Sequence, residues 1–212
     1  EWGIPYIISE HSSHYNGKTD DDFSAKNFFH RYNVRQVFRD AVAVTNVSTV
    51  IGDKLKALFG INDVKIIHNT VDTRFFYYSN SGASKFRFIH VSTLANYQKN
   101  IDGMLRSFSK LANQRQDFEL VIAGPASVEL KEKAIQSGLS SYVSYTGEIS
   151  YPEVALQMQQ ASALVLFSRY ENFPCVMIEA LCCGLPVIAA NTGGIKEAVN
   201  EMNGILVESE NE

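Results

Sequence analysis

Two glutamates, Glu171 and Glu179, stand eight positions apart in SRYENFPCVMIEALCCGLPVIAANTGG, residues 168–194, which runs from an apolar segment through a proline to a glycine pair. Pro174 suits the first position of a helix, where its missing N–H is not needed. Gly184 is a natural C-terminal cap. The spacing therefore predicts a helix over 174–183 that starts beside Glu171 and carries Glu179 in its second turn. Its first-turn amides, Cys175 and Val176 among them, combine with the positive end of the helix dipole into a site for an anion such as phosphate. Carboxylates beside it would accept hydrogen bonds from hydroxyls. Taken alone, the pair fits two solvated carboxylates near a helix start better than a site.

Other residue types with chemical potential are scattered. Lys99 could neutralise an anion or simply be a solvated lysine. His11 and His14 flank two serines in EHSSH, but no third ligand accompanies them and no metal site is expected. His68 and His90 close apolar runs and read as structural. Gly193 and Gly194 permit close backbone approach to a ligand, or only a turn. Cys175, Cys182 and Cys183 share one apolar stretch without metal-ligand spacing and read as small buried hydrophobes in a reducing compartment.

The elements that must position these residues follow from hydrophobic periodicity. From residue 86 onward, apolar strands at 86–92, 118–124, 142–146, 163–168, 185–190 and 204–207 alternate with helices at 99–114, 127–137, 151–160, 174–183 and 194–200. Nearly continuous apolar strands separated by helices predict βαβ units in a parallel sheet covered on both faces. The first eighty residues alternate less completely, with strands at 4–9, 41–45 and 64–68 and helices at 22–39 and 47–59. In the first helix, Phe28, Phe29, Tyr32 and Phe38 form an aromatic stripe expected to pack on the sheet, interleaved with Arg31, Arg35 and Arg39. TRFFYYSNSGASK, 73–85, loses periodicity and reads as a linker. The expectation is an α/β chain of two doubly wound parallel sheets: residues 1–78 as the end of one domain, and 79–212 as most of a second.

The chain has 212 residues, is 45% hydrophobic and 20% charged, and carries a net charge of −4. Without a basic block, a nucleic-acid partner is not expected. No apolar run reaches membrane-spanning length. Opening on Glu1 within a strand-like run and stopping just after another, the chain reads as a fragment.

The Glu171–Glu179 stretch resembles the Glu-x7-Glu signature of retaining glycosyltransferases of family 4, and the similarity continues through EAVNEMNGILV. IIHNTVDTRFF (66–76) looks like the segment that precedes that family's interdomain linker. FRFIHVSTLANYQKNIDGML (86–105) looks like its first donor-domain strand and phosphate-binding turn, and GIPYIISEHSS (3–13) like the end of an acceptor-domain strand. The resemblance implies a GT-B architecture of two Rossmann-like domains, the second binding a nucleoside-diphosphate sugar. It implies that Glu179 holds ribose hydroxyls, that Glu171 works at the donor sugar, and that amides of Phe173, Cys175 and Val176 hold sugar or phosphate oxygens. Lys99 would neutralise the diphosphate, His11 would reach over the donor sugar, and Gly193 and Gly194 would line the donor. The family's companion arginine, expected near Thr93, is missing.

The implied activity is hexosyl transfer to a glycan or lipid-linked acceptor, without cofactor or metal. The implied place is the cytoplasm, with peripheral association at the inner membrane face. A nucleotide-sugar binding module without turnover, or an epimerase of the same fold, are the rival readings. As a fragment, the chain itself is expected to show little or no transfer.

Overall fold

The computed structural model describes residues 3–12, 15, 22–79 and 85–208. His14 and the middle of the 73–85 stretch lie outside the described residues. The chain clusters into two compact units. One takes in Glu1–Asn69, Tyr170–Pro174 and Gly193–Glu197; the other takes in Thr70–Arg169, Cys175–Thr192 and Ala198–Glu212.

In the first unit, strands β1 (Ile7–Glu10), β2 (Ala43–Asn46) and β3 (Lys65–Ile66) pair in that order, all parallel. Helices α1 (Phe28–Asp40) and α2 (Thr49–Phe59) connect them. Ser48 caps α2 by accepting from the Ile51 amide, and Gly60 at φ 65° ends it. Ile51, Leu55 and Phe59 on its inner face join Phe23, Phe38, Val44 and Val64 in one buried cluster. The helix expected over 22–39 is broken, because Asp22 and Asn27 each cap a separate start: a short 3₁₀ turn at Phe23–Ala25, then α1. The aromatic stripe also departs from expectation. Phe38 is buried, but Phe28 and Phe29 are 73% and 76% exposed, and Tyr32 is exposed too. The guanidinium groups of Arg31 and Arg35 lie 6.0 and 5.6 Å from the Phe23 ring centre, so arginines occupy the inward side of the early helix.

The second unit is built on strands β4 (Phe86–Val91), β5 (Phe118–Ala123), β6 (Val143–Gly147), β7 (Ala163–Leu166), β8 (Val187–Ala190) and β9 (Gly204–Val207). Their spatial order is β6-β5-β4-β7-β8-β9, and every pairing is parallel. The helices are α3 (Asn96–Lys99), α4 (Ile101–Ala112), α5 (Val128–Gln136), α6 (Tyr151–Gln159) and α7 (Cys175–Cys182). The α/β expectation with parallel sheets holds. Ile101, Met104, Leu105 and Phe108 of α4 pack with Phe118, Leu120 and Ile122 of β5, which is the predicted apolar stripe meeting a buried strand.

Two helix expectations need correction. The helix expected over 99–114 is interrupted at Asn100, whose left-handed backbone (φ 50°) ends α3 and starts α4. The helix expected over 194–200 is only a 3₁₀ turn, Ile195–Glu197. The Asn203 side chain donates to the Ala198 carbonyl and accepts from the Asn200 amide, satisfying backbone groups that helix continuation would need. Among the described residues no helix is long and apolar enough to cross a membrane.

Candidate functional site

Strand order in the second unit reverses between β4 and β7. In open parallel sheets the crevice beyond the carboxyl ends of such a pair is where ligands bind. The turn after β4 carries Lys99, and the turn after β7 leads to Glu171.

The β4 turn is held from below by His90. This ring is fully buried, and burial brings its pKa down to about 4, opposed in part by the hydrogen bond to the Val165 carbonyl and aided by the nearby Lys99 charge. A neutral ring fits its two contacts: Nδ1 lies 2.8 Å from the Val165 carbonyl and so donates, which leaves Nε2 to accept from Ser92 Oγ at 2.8 Å. Ser92 Oγ in turn accepts from the Leu94 amide at 3.0 Å, in a turn where Leu94 takes φ 58°. A Cβ on Gly124 would meet the Ser92 carbonyl oxygen at 2.1 Å, so only glycine allows β5 to end this close. Lys99 follows, half-buried at the end of α3, with its amide bonded to the Ala95 carbonyl at 2.8 Å.

Arg169, which no sequence motif marks, joins the two turns. Its amide donates to the Gln98 carbonyl at 2.8 Å. Its guanidinium donates to the Asn96 carbonyl and to Asn100 Oδ1, both at 2.7 Å. The only hint in the sequence is its place two residues before Glu171. Arg87, the other arginine of the β4 region, is engaged elsewhere, with Gln160 and Gln157 at 2.8 and 2.9 Å.

Helix α7 begins at Cys175, so Pro174 stands just before its first residue rather than at it. Gly184 ends it at φ 72°, as expected. Glu179 is only 8% exposed. Burial raises its pKa, and a hydrogen bond from the Tyr151 hydroxyl, at the start of α6, partly offsets this. Of the three cysteines, only Cys183 is buried; Cys175 is exposed and Cys182 intermediate, which corrects the expectation for two of them. The Cys175 thiol, next to the helix start, is nevertheless pushed up, first by burial of the sulfur and then by the Glu179 charge. It is therefore no ready thiolate. Val176 is partly buried beside it.

The remaining candidates, His11, Glu171, Phe173, Gly193 and Gly194, belong to the first unit. Glu171 is 6% exposed and lies in the loop between Tyr170 and Pro174. Its backbone is gripped by the glycine pair. A Cβ on Gly193 (φ +57°) would meet the Glu171 carbonyl oxygen at 1.8 Å, and one on Gly194 the Asn172 carbonyl oxygen at 2.5 Å. The Gly194 amide donates to that Asn172 carbonyl at 2.7 Å. Asn172 Oδ1 accepts from Ser48 Oγ at 2.7 Å, and its Nδ2 reaches the His11 carbonyl at 3.4 Å.

Asn69 Nδ2 donates to the Phe173 carbonyl at 2.6 Å, and the His68 ring stacks on Phe173 with centroids 4.5 Å apart. The carboxylate of Glu197 accepts from the Thr49 and Val50 amides at 3.0 and 3.1 Å, tying the 193–197 turn to the start of α2. The His11 side chain is exposed, with Nε2 2.9 Å from Ser9 Oγ. Glu171 and the glycines stand out in the sequence, whereas Ser48, Asn69, Asn172 and Glu197, which hold that loop and turn, do not. Among the described residues no group of three or more His, Cys, Asp or Glu side chains could hold a metal ion.

Comparison with known proteins gives a consistent picture. The profile of glycosyl transferases group 1 matches residues 76–212. An uncharacterized glycosyltransferase of Methanocaldococcus jannaschii is 27% identical, over 98% of this chain and 57% of its own length. A D-inositol 3-phosphate glycosyltransferase of Jonesia denitrificans is 34% identical, over 51% of this chain and 28% of its own. The chain thus spans little more than half the length of the curated relatives it matches over most of its own extent. The fold superposes on sucrose-phosphate synthase of Thermosynechococcus elongatus with a TM-score of 0.84 and 19% identity, over 100% of this chain and 56% of that one. It superposes on Anabaena HepE, solved in complex with UDP, with a TM-score of 0.79 and 21% identity, over 97% and 60%. With the group 1 profile matched over residues 76–212, this chain belongs to the group 1 glycosyl transferases.

Proposed function

We propose that the protein is a retaining glycosyltransferase of family 4, moving a hexosyl group from a nucleoside-diphosphate sugar to a glycan or lipid-linked acceptor. The observation that carries this reading is the β4–β7 switch point, with Lys99 on one turn and the Glu171–Glu179 segment leaving the other. That HepE was solved with UDP supports a nucleoside diphosphate as the ligand class. In this reading residues 79–212 bind the donor and residues 1–78 serve the acceptor side.

Glu179 accepts from the ribose hydroxyls, and Lys99 neutralises the diphosphate. The amides of Phe173, Cys175 and Val176 meet sugar or phosphate oxygens, and Gly193 and Gly194 hold the Glu171 loop in place by packing on its carbonyls. Glu171 and His11 work at the sugar. The anomeric carbon–oxygen bond to the diphosphate breaks while a bond to the acceptor oxygen forms on the same face, and the acceptor's proton leaves on the departing phosphate. Preorganised positive charge at that phosphate lowers the barrier as negative charge grows, so neither metal nor cofactor is required. We place the reaction in the cytoplasm, at the inner membrane face. The exposed Phe28, Phe29 and Tyr32 on α1 support peripheral attachment there.

A calorimetric screen of UDP, GDP and ADP tests the reading. One of them should bind. Glu179→Ala should weaken nucleoside binding, Lys99→Ala should weaken the diphosphate more than the bare nucleoside, and Glu171→Ala should suppress transfer with binding retained. Parental binding by all three variants would overturn the site. Donor binding with no transfer in the protein that contains this chain would favour a binding module, and an epimerised nucleotide sugar formed without acceptor would indicate an epimerase.

A further inference from the structure

We infer that Arg169 is a positioning residue for the diphosphate cation: it fastens the turn that carries Lys99 to the end of β7 and so fixes where the ammonium group stands. The inference rests on the function proposed above.

Lys99 sits on a four-residue helix followed by Asn100 in a left-handed conformation. Left-handed backbone is tolerated by asparagine where its short side chain finds hydrogen-bonding support. Arg169 supplies it from the other side of the switch point. The guanidinium caps α3 through the Asn96 carbonyl and holds Asn100 Oδ1 at 2.7 Å, the same oxygen that accepts from the Gly103 amide at 3.3 Å to start α4. Asn100 is buried, and among the described residues its Nδ2 has no hydrogen-bond partner, so the side chain is oriented through Oδ1. The backbone of Arg169 adds the bond to Gln98, and its carbonyl accepts from Thr192 Oγ1 at 3.2 Å. The Lys99 peptide is thus flanked by three anchored residues, Asn96, Gln98 and Asn100, all held by one arginine. No lysine could do this, because an ammonium cannot span the Asn96 carbonyl and Asn100 Oδ1 as a planar fork does.

A double-mutant cycle on this chain tests the assignment, using whichever of UDP, GDP and ADP binds the parent most tightly and its bare nucleoside. Arg169→Ala should weaken the diphosphate about tenfold, the scale of one charge-assisted hydrogen bond, and leave the nucleoside within about twofold, because Glu179 sits on another helix. In a Lys99→Ala background the same change should cost the diphosphate less than about twofold. Arg169→Lys, which keeps the charge and the stem, should behave like Arg169→Ala and guards against a misfolded alanine variant. Equal losses with and without Lys99 would overturn the positioning role, as would equal losses on diphosphate and nucleoside, or full rescue by lysine. Absence of binding by the parent would instead overturn the functional reading, and the inference with it.

Discussion

Ser48 and Asn172, 124 positions apart, share a buried 2.7 Å hydrogen bond. The same Ser48 oxygen accepts from the Ile51 amide, so one hydroxyl starts helix α2 and orients the residue next to Glu171. Ser48→Ala removes a cap and leaves Asn172 Oδ1 without its buried donor. The expected cost is about 2 kcal/mol. It should appear as a lower denaturant midpoint and as faster hydrogen exchange at Ile51, and Ser48→Thr should recover much of the loss. An unchanged midpoint would mean that solvent replaces the bond freely.

His90 predicts an acid-sensitive second unit. Its pKa is about 4 in the folded protein against an ordinary 6.5. The unfolded chain therefore takes up a proton at a pH where the folded chain does not. The stability due to the neutral ring is fully present above about pH 6.5 and is lost as pH falls toward 4, by about 3 kcal/mol. Thermal melting from pH 7 to 4.5 should show this slope, and His90→Gln should flatten it while lowering stability at pH 7. A His90→Gln variant as pH-sensitive as the parent would refute the assignment.

Gly193→Ala should act on Glu171 without touching Glu179. A methyl group there has no room before the Glu171 carbonyl, and the backbone is left-handed. The loop must shift, and a catalytic carboxylate displaced by even about 1 Å can lose about a hundredfold in rate. Transfer by the protein containing this chain should therefore fall by at least tenfold, an estimate that allows for partial relaxation, while calorimetric affinity for the nucleoside changes little. Parallel losses in both would show that the two glutamates do not act separately.

Much of the architecture is legible in the sequence because parallel strands buried on both faces read as unbroken apolar runs. Glu171 stands out for a related reason, as a charge in the loop that follows such a run, whereas Glu179 and Lys99 are marked by the family resemblance. The supports are not legible. Arg169 meets Asn100 across 69 positions, and Glu197 meets Thr49 across 148. No local spacing encodes pairs that only the topology brings together. The early half of α1 misleads for the opposite reason. Its aromatic residues have core chemistry, but arginines take the inward side over Phe23. A stripe of apolar residues specifies a face without saying which partner covers it.

Tyr151 and Glu179 give the last prediction. The Tyr151 hydroxyl donates to the buried carboxylate and accepts from the Asp72 amide, with the ring edge-on to Phe76 at 4.8 Å. Among the described residues Cys175 and Cys183 also feel the Glu179 charge, both thiols pushed up and neutral near pH 7. Burial favours the protonated acid and the tyrosine favours the carboxylate. Only the carboxylate accepts from two hydroxyls, so nucleoside binding should weaken as pH falls through the Glu179 pKa. Tyr151→Phe removes the stabilising donor and moves that acid limb to higher pH. Above the limb, where Glu179 is ionised in both proteins, the affinities should draw closer together. Calorimetric titrations at a series of pH values read the limb directly. Coincident limbs for parent and variant would show that Tyr151 does not set the charge state of Glu179.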